Sequence, residues 1–267
     1  MTQINNKEEV LSELTLEQIK NNWSALHGGD QEPWPENPDL QNLWLLFHQG
    51  QYLKAAEEAE PLFPENHDAI VVACKALSTW AHYLESDDNE AKSQLLRAAK
   101  LAETAIAELA KPSPHHKNLY YQYAFALGRY GQKISITQAL ADGLAGKIKQ
   151  ALDQTLALDS NHADAHTALA TYQAEIIQKL GKFAAKLTYG AVPDDALSHY
   201  QQGIELAPES VSARTEMADG LLMVYGKKRL KDAVAIYQQA YEIEPLDKLT
   251  ELDHGLAEEE LKDGGYL

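Results

Sequence analysis

Apolar residues recur along this chain at three- and four-residue steps. In EAKSQLLRAAKLAETAIAELA, residues 90–110, Leu95, Ala98, Ala99, Ala102, Ala105, Ile106 and Leu109 fall on one stripe. That spacing gives a helix one face to bury. Val, Ile and Thr never alternate with polar residues over five or more positions, as a half-buried strand requires. Stop signals separate the helical runs: Pro61 with Pro64-Glu65-Asn66, Pro112 with Pro114, Asp159-Ser160-Asn161, Pro208-Glu209-Ser210, and Pro245. Proline past a helix end cannot donate the next backbone hydrogen bond. The pattern predicts an all-α chain.

The stops repeat. Ala196, Tyr200, Gly203 and Pro208 are spaced 4, 3 and 5 apart, and Ala233, Tyr237, Ala240 and Pro245 repeat that spacing 37 residues later. The surrounding text agrees, ALSHYQQGIELAP against AVAIYQQAYEIEP. A weaker copy, IKQALDQTLALDS, carries Ile148, Leu152, Thr155 and Ser160, 48 residues before the first. Each copy is followed by text suited to another helix: HADAHTALA, SVSARTEMADGLL and DKLTELDHGLA. Periodicity of this kind marks stacked helical units.

These residues resemble the tetratricopeptide repeat, a helix–turn–helix unit with small residues at the helix crossing, an aromatic beside them and a closing proline. Small side chains let helix axes approach to about 8–10 Å while the aromatic fills the adjoining groove. Leu169 and Ala170 stand where the family's first helix has Leu-Gly. Upstream, GQYLKAA (Gly50, Tyr52, Ala55) resembles a turn and second helix, with Trp44, Leu45 and Leu46 in the first. Residues 68–84 with 90–110 read as a further pair, and LYYQYAFALGRY (119–130) opens another. The expected fold is an α–α superhelix of about five stacked hairpins over residues 36–267, closed by a capping helix near 247–262. Residues 1–35 are expected to form an N-terminal arm, with Thr15 as N-cap for LEQIKNNWSAL and GGDQEPWPENP as a linker.

The stretch EIIQKLGKFAAKLTYGAVPDD lengthens one pair, and its apolar face is expected to run through Ile176, Ile177, Leu180, Phe183, Ala184 and Leu187. With this insertion, residues 115–245 also resemble the regulator of microtubule dynamics family and its bacterial relatives. That resemblance implies association with cytoskeletal or membrane-linked assemblies.

Charge narrows the partners. The 267 residues are 45% hydrophobic, and 23 Lys+Arg against 40 Asp+Glu give −17. Such an excess opposes nucleic acid, anionic lipid and an acidic tubulin lattice. The single cysteine, Cys74, excludes an internal disulfide or a multi-thiolate zinc site. With no basic and apolar leader and no stretch of eighteen apolar residues, the expected location is cytoplasmic, without membrane insertion.

Candidate chemistry is sparse, and the chain is expected to be neither an enzyme nor dependent on a cofactor or metal. His162 and His166 share a helix face, but no glutamate follows the first as in a zincin. His115 and His116 sit at a helix entry, and Cys74 lies among Val71, Val72, Ala73 and Leu77. His27-Gly28-Gly29-Asp30 lacks the strand and lysine of a phosphate loop. Gly143 and Gly146 interrupt a helical run and mark a turn or kink, and Trp23, Trp34, Trp44 and Trp80 read as separate packing anchors. The acidic end, from Glu244 to Asp263, suits the polar outer face of a cap.

Partner contacts are expected from Tyr120, Tyr123 and Tyr130, from Arg214, and from the basic island Lys227, Lys228, Arg229 and Lys231. Tyrosine offers area and a hydroxyl at small entropic cost. The positions comparable to the carboxylate clamp of chaperone-type tetratricopeptide domains are Thr167, Thr171, Thr215 and Asp219, so no clamp is expected. The sequence thus reads as a scaffold gripping a peptide segment of another protein, with self-association into a homo-oligomer left open. The alternative is a component of a solute transport system that binds a small molecule or forms a ring, with Ile176–Leu187 as pocket wall or subunit interface.

Overall fold

The computed structural model describes residues 13–267, and those residues contain helices and no strand. In chain order the α-helices are α1 (Leu16–Leu26), α2 (Pro38–His48), α3 (Tyr52–Ala59), α4 (His67–Tyr83), α5 (Asp88–Glu108), α6 (Lys117–Gln132) and α7 (Ile136–Ala141). They continue with α8 (Leu144–Leu158), α9 (Ala163–Leu180), α10 (Lys182–Tyr189), α11 (Pro193–Leu206), α12 (Val211–Tyr225), α13 (Leu230–Tyr241) and α14 (Lys248–Asp263).

The helices begin where side chains can satisfy their orphan amides. Asn37, Asn66, Asp87, Ser135 and Ser210 each accept a hydrogen bond from a backbone N–H of the helix that follows. His162 does the same at α9, its Nδ1 accepting from the Ala165 N–H at 3.1 Å. The stops read from the sequence all fall between α-helices: Pro112 after α5, Asp159 after α8, Pro208 after α11 and Pro245 after α13, while Pro61 and Pro114 lie in short 3-10 turns, Glu60–Leu62 and Pro114–His116.

The chain forms two compact units. Among the described residues, the first comprises those from Glu13 to Trp23, Glu32–Ser160 and Asp247–Leu249, and the second Ser24–Gln31, Asn161–Leu246 and Thr250–Leu267. Within the first, α2 packs on α3, α3 on α4, α4 on α5, α5 on α6 and α6 on α8. Alanine makes these approaches possible: Ala69, Ala73, Ala76, Ala98, Ala102 and Ala105 are fully buried. Cys74 lies in the same layer, its thiol donating to the Ala98 carbonyl at 3.1 Å. Burial pushes that thiol's pKa far up, so it is a core residue rather than a nucleophile.

Three of the four tryptophans, expected to be separate anchors, share one cluster in this unit. Trp23 stands edge-on to Trp34 at 4.9 Å and to Trp44 at 5.7 Å between ring centres. The stretch expected as a linker is held down: Trp23 Nε1 donates to the Glu32 carbonyl at 2.7 Å, and Gln41 Nε2 to that of Pro35 at 2.8 Å. The arm's first twelve residues lie outside the described ones, whereas Ile19 and Trp23 are buried.

In the second unit α9 packs on α11 and α12, and α12 on α13. Ala218, Ala233, Tyr237 and Leu261 form one buried cluster, and Val211, Ala240 and Ala257 another. His27 and Asp30 are buried here as a pair at 2.9 Å, and the Gly29 carbonyl accepts from the Asp164 N–H at 3.1 Å.

The insertion corrects one expectation, because its apolar face is not continuous. Ile176 and Ile177 are buried on α9, but the helix breaks at Gly181, whose φ of 78° and ψ of 155° suit glycine alone. α10 then faces differently: Ala185 is buried, while Phe183 and Leu187 are 84% and 77% exposed. Residues so exposed do not wall a cavity within their unit.

Candidate partner-binding site

Helix α6 carries the aromatic residues. It is entered through a capping box in which Ser113 and His116 satisfy each other's backbone, with Pro114 between them. Leu119, Tyr121, Ala124, Ala126 and Leu127 are buried, and Tyr120, Tyr123, Phe125 and Tyr130 are half-buried. Tyr130 packs on the buried Ala81, Ala91 and Leu95, which ties it to the core. The Arg129 guanidinium lies 5.0 Å from the Phe125 ring centre. Burial, then the Glu103 carboxylate to which its hydroxyl bonds, raises the pKa of Tyr123. Burial alone raises that of Tyr120. Both are therefore neutral phenols near neutral pH, Tyr120 able to donate and accept one hydrogen bond and Tyr123 already donating to Glu103.

In the second unit, the repeated small residues sit where helices cross. A Cβ on Gly203 would collide with Thr167 Oγ1 and stand 3.2 Å from the Ala163 carbonyl, so its absence lets α11 lie against α9. Gly220, which the spacing did not flag, serves the same end: a Cβ there would stand 2.6 Å from Cζ of the buried Tyr200. Ala196, Ala233, Tyr237 and Ala240 are buried, Pro208 is exposed and Pro245 half-buried.

The tyrosine hydroxyls face polar partners on the first helices of their pairs. Tyr200 Oη lies 3.0 Å from Thr171 Oγ1, which donates to Glu216 at 2.9 Å, and Tyr237 donates to Asp219. Burial, with the charges of Glu216 and Asp219 respectively, raises both phenol pKa values. At the clamp positions, Thr171 and Asp219 are thus engaged, and Thr215 bonds the Val211 carbonyl at 2.9 Å. None of the four presents a cation to a carboxylate. Arg214 is half-buried and donates to the Ser210 carbonyl at 2.9 Å. Lys227, Lys228 and Arg229 form a turn after α12, the two lysines exposed and Arg229 paired with Asp232.

The histidines have structural partners. His162 caps α9, and His166 Nδ1 meets His199 Nδ1 at 2.9 Å with the rings stacked. His115, at the surface, pairs with Asp68 at 3.1 Å. Among the described residues no group of three His, Cys, Asp or Glu side chains is placed to hold a metal ion. His199, Glu216 and Gly220 are the participants that the sequence reading missed. No linear motif contains them, because their partners lie on neighbouring helices.

Helical pairs with this crossing chemistry match a known family. The model of Regulator of microtubule dynamics protein 1-3 matches residues 45–263, most of the chain. The chain belongs to that family. No curated protein sequence matches it. Among solved structures, YrrB, described as a tetratricopeptide protein with an unusual peptide-binding site, is 15% identical with a TM-score of 0.37, covering 94% of this chain and 99% of its own. Yeast Tom70 is 14% identical with a TM-score of 0.26, covering 98% of this chain and 68% of its own. Likenesses this distant bear no weight on what a microtubule-dynamics-family chain binds. No helix of the described residues is long and apolar enough to cross a membrane.

Proposed function

We propose that this chain is a non-enzymatic scaffold that holds a segment of another protein against the first-helix faces of its hairpins. One observation carries the reading. Helix α6 buries Leu119, Tyr121 and Leu127 in the core yet keeps Tyr120 and Tyr123 half-buried, as neutral phenols with part of each ring open to a partner. Aromatic side chains presented in this way are common anchors of interfaces. The groups that would have served an enzyme support the same reading: Cys74 is sealed in the core and His162 is spent on a helix cap.

The family's name brings microtubules to mind, and we place this scaffold in microtubule-associated assemblies through a protein intermediary. Its −17 charge would repel an acidic lattice directly. Affinity capture with the intact chain and with a Tyr120→Ala/Tyr123→Ala variant tests the reading. A partner recovered by the first and lost, about tenfold or more, by the folded second is expected. Equal recovery would remove the tyrosine face from the proposal.

A further inference from the structure

The negative character of this chain is interrupted at one place in the second unit, where α10 meets the turn Gly226–Arg229. Tyr225 joins them: Lys182 Nζ lies 4.6 Å from its ring centre and Arg229 Cζ 5.6 Å. Cations over an aromatic face are held there by the ring quadrupole. Arg229 is also paired with Asp232, but among the described residues Lys182, Lys186, Lys227 and Lys228 have no carboxylate within ion-pairing distance. In a chain of net −17, Lys182 and Lys186 on α10 with Lys227 and Lys228 in the turn that follows Tyr225 make a local positive seat.

Beside the lysines stands an apolar pair. Phe183 and Leu187, one helical turn apart, are the most exposed large hydrophobic side chains among the described residues, and Leu180 before them is 38% exposed. Nothing suggests a stray loop. Ala185 is fully buried, the Ala191 N–H bonds its carbonyl at 3.3 Å, and the Val192 N–H bonds Gln173 Oε1 at 3.3 Å. α10 is thus anchored by its small residue and presents its bulky ones outward, the reverse of a helix built only to cover a core.

We infer that α10 and the Gly226–Arg229 turn form a docking seat for an acidic peptide segment bearing two bulky apolar side chains about one turn apart. The apolar pair covers Phe183 and Leu187, and the carboxylates meet Lys182, Lys186 and the turn lysines. Charge complementarity selects a peptide over an anionic bilayer. A bilayer brings an extended negative plane toward a chain carrying −17, whereas a short acidic segment meets only the local cations. Two apolar side chains also bury too little to anchor a protein at a membrane interface. The inference rests on the protein-binding reading above but uses a different surface from Tyr120 and Tyr123.

The test is fluorescence anisotropy on the full chain with a labelled helical peptide of about a dozen residues, Glu-rich and carrying Leu and Phe one turn apart. Control peptides replace the apolar pair by Ala or the Glu residues by Lys. Saturable binding of the first peptide is expected, and neither control should bind. Phe183→Ala/Leu187→Ala and Lys182→Glu/Lys186→Glu should each weaken it about tenfold or more. These four side chains are exposed, so an unchanged melting temperature should show that the variants fold. Absence of binding, or binding indifferent to both double variants, overturns the seat, as does binding to phosphatidylserine vesicles in place of the peptide. Tyr120→Ala/Tyr123→Ala should leave the peptide's affinity unchanged. A lost natural partner with retained peptide binding supports both surfaces, whereas a lost natural partner with no peptide binding overturns the seat alone.

Discussion

At His82, burial and charge act in the same direction. Burial comes first and the Arg129 and Lys133 cations second, and together they push the imidazole's pKa from 6.5 down to about 2. In the unfolded chain it takes up a proton near its ordinary value. Between the two values the unfolded state binds more protons, so stability is lost as the pH falls through about 6.5, by at most about 1.4 kcal/mol per pH unit. His82→Gln removes that linkage. Urea unfolding at pH 7 and pH 5 should show the native chain losing about 1–2 kcal/mol more than the variant. Equal losses would mean that His82 is free to protonate in the fold. Two glycines give a second contrast at this scale. Gly220→Ala gains helix propensity of about 1 kcal/mol but drives a methyl into the Tyr200 ring, which Thr171 holds in place, for a net loss of about 1–2 kcal/mol. Gly255 on α14 has nothing within 4 Å of an added Cβ, so Gly255→Ala should stabilise by up to about 1 kcal/mol. Thermal or denaturant unfolding of the two variants should therefore shift in opposite directions.

Helices α9 and α10 show how far an element can be read from text. The text QKLGKFAAKL keeps a helical period straight through Gly181, because a helix tolerates a glycine for about 1 kcal/mol. What ends α9 is a backbone conformation, with φ at 78°, that no local pattern announces. An alanine there is strained, so Gly181→Ala should cost about 1–3 kcal/mol by denaturant titration, or less if α9 and α10 fuse into one helix. A rise in helix content by circular dichroism would report the fusion. Helix ends marked by side-chain chemistry were legible, since Asn, Asp, Ser and Pro act on their own neighbours. The all-α class followed from period alone. Relations across helices were not legible: His48 and Asp247, 2.6 Å apart, are separated by 199 positions, and Trp23, Trp34 and Trp44 converge only once α1 and α2 are placed. The same limit hid Glu216 behind Thr171 and His199 behind His166, while Tyr200 and Gly203 were visible because one repeated helix carries both.

For the whole molecule, the net charge of −17 implies that the fold and the proposed peptide seat respond oppositely to salt. Unbalanced negative charge opposes compaction, and its range shrinks from about 30 Å at 0.01 M ionic strength to about 8 Å at 0.15 M. Added sodium chloride over that interval should therefore raise the melting temperature by about 2–5 °C. The four lysines of α10 and the Gly226–Arg229 turn depend on the same field with the opposite sign. Screening weakens their attraction for glutamates, and the peptide's dissociation constant should rise about 3–10-fold over the same interval. Measuring both in one salt series removes protein preparation and peptide quality as explanations. A melting temperature that climbs while affinity falls is the signature of a cationic seat on an acidic body. If affinity climbs too, the apolar pair alone is holding the peptide, and the lysines are only neighbours.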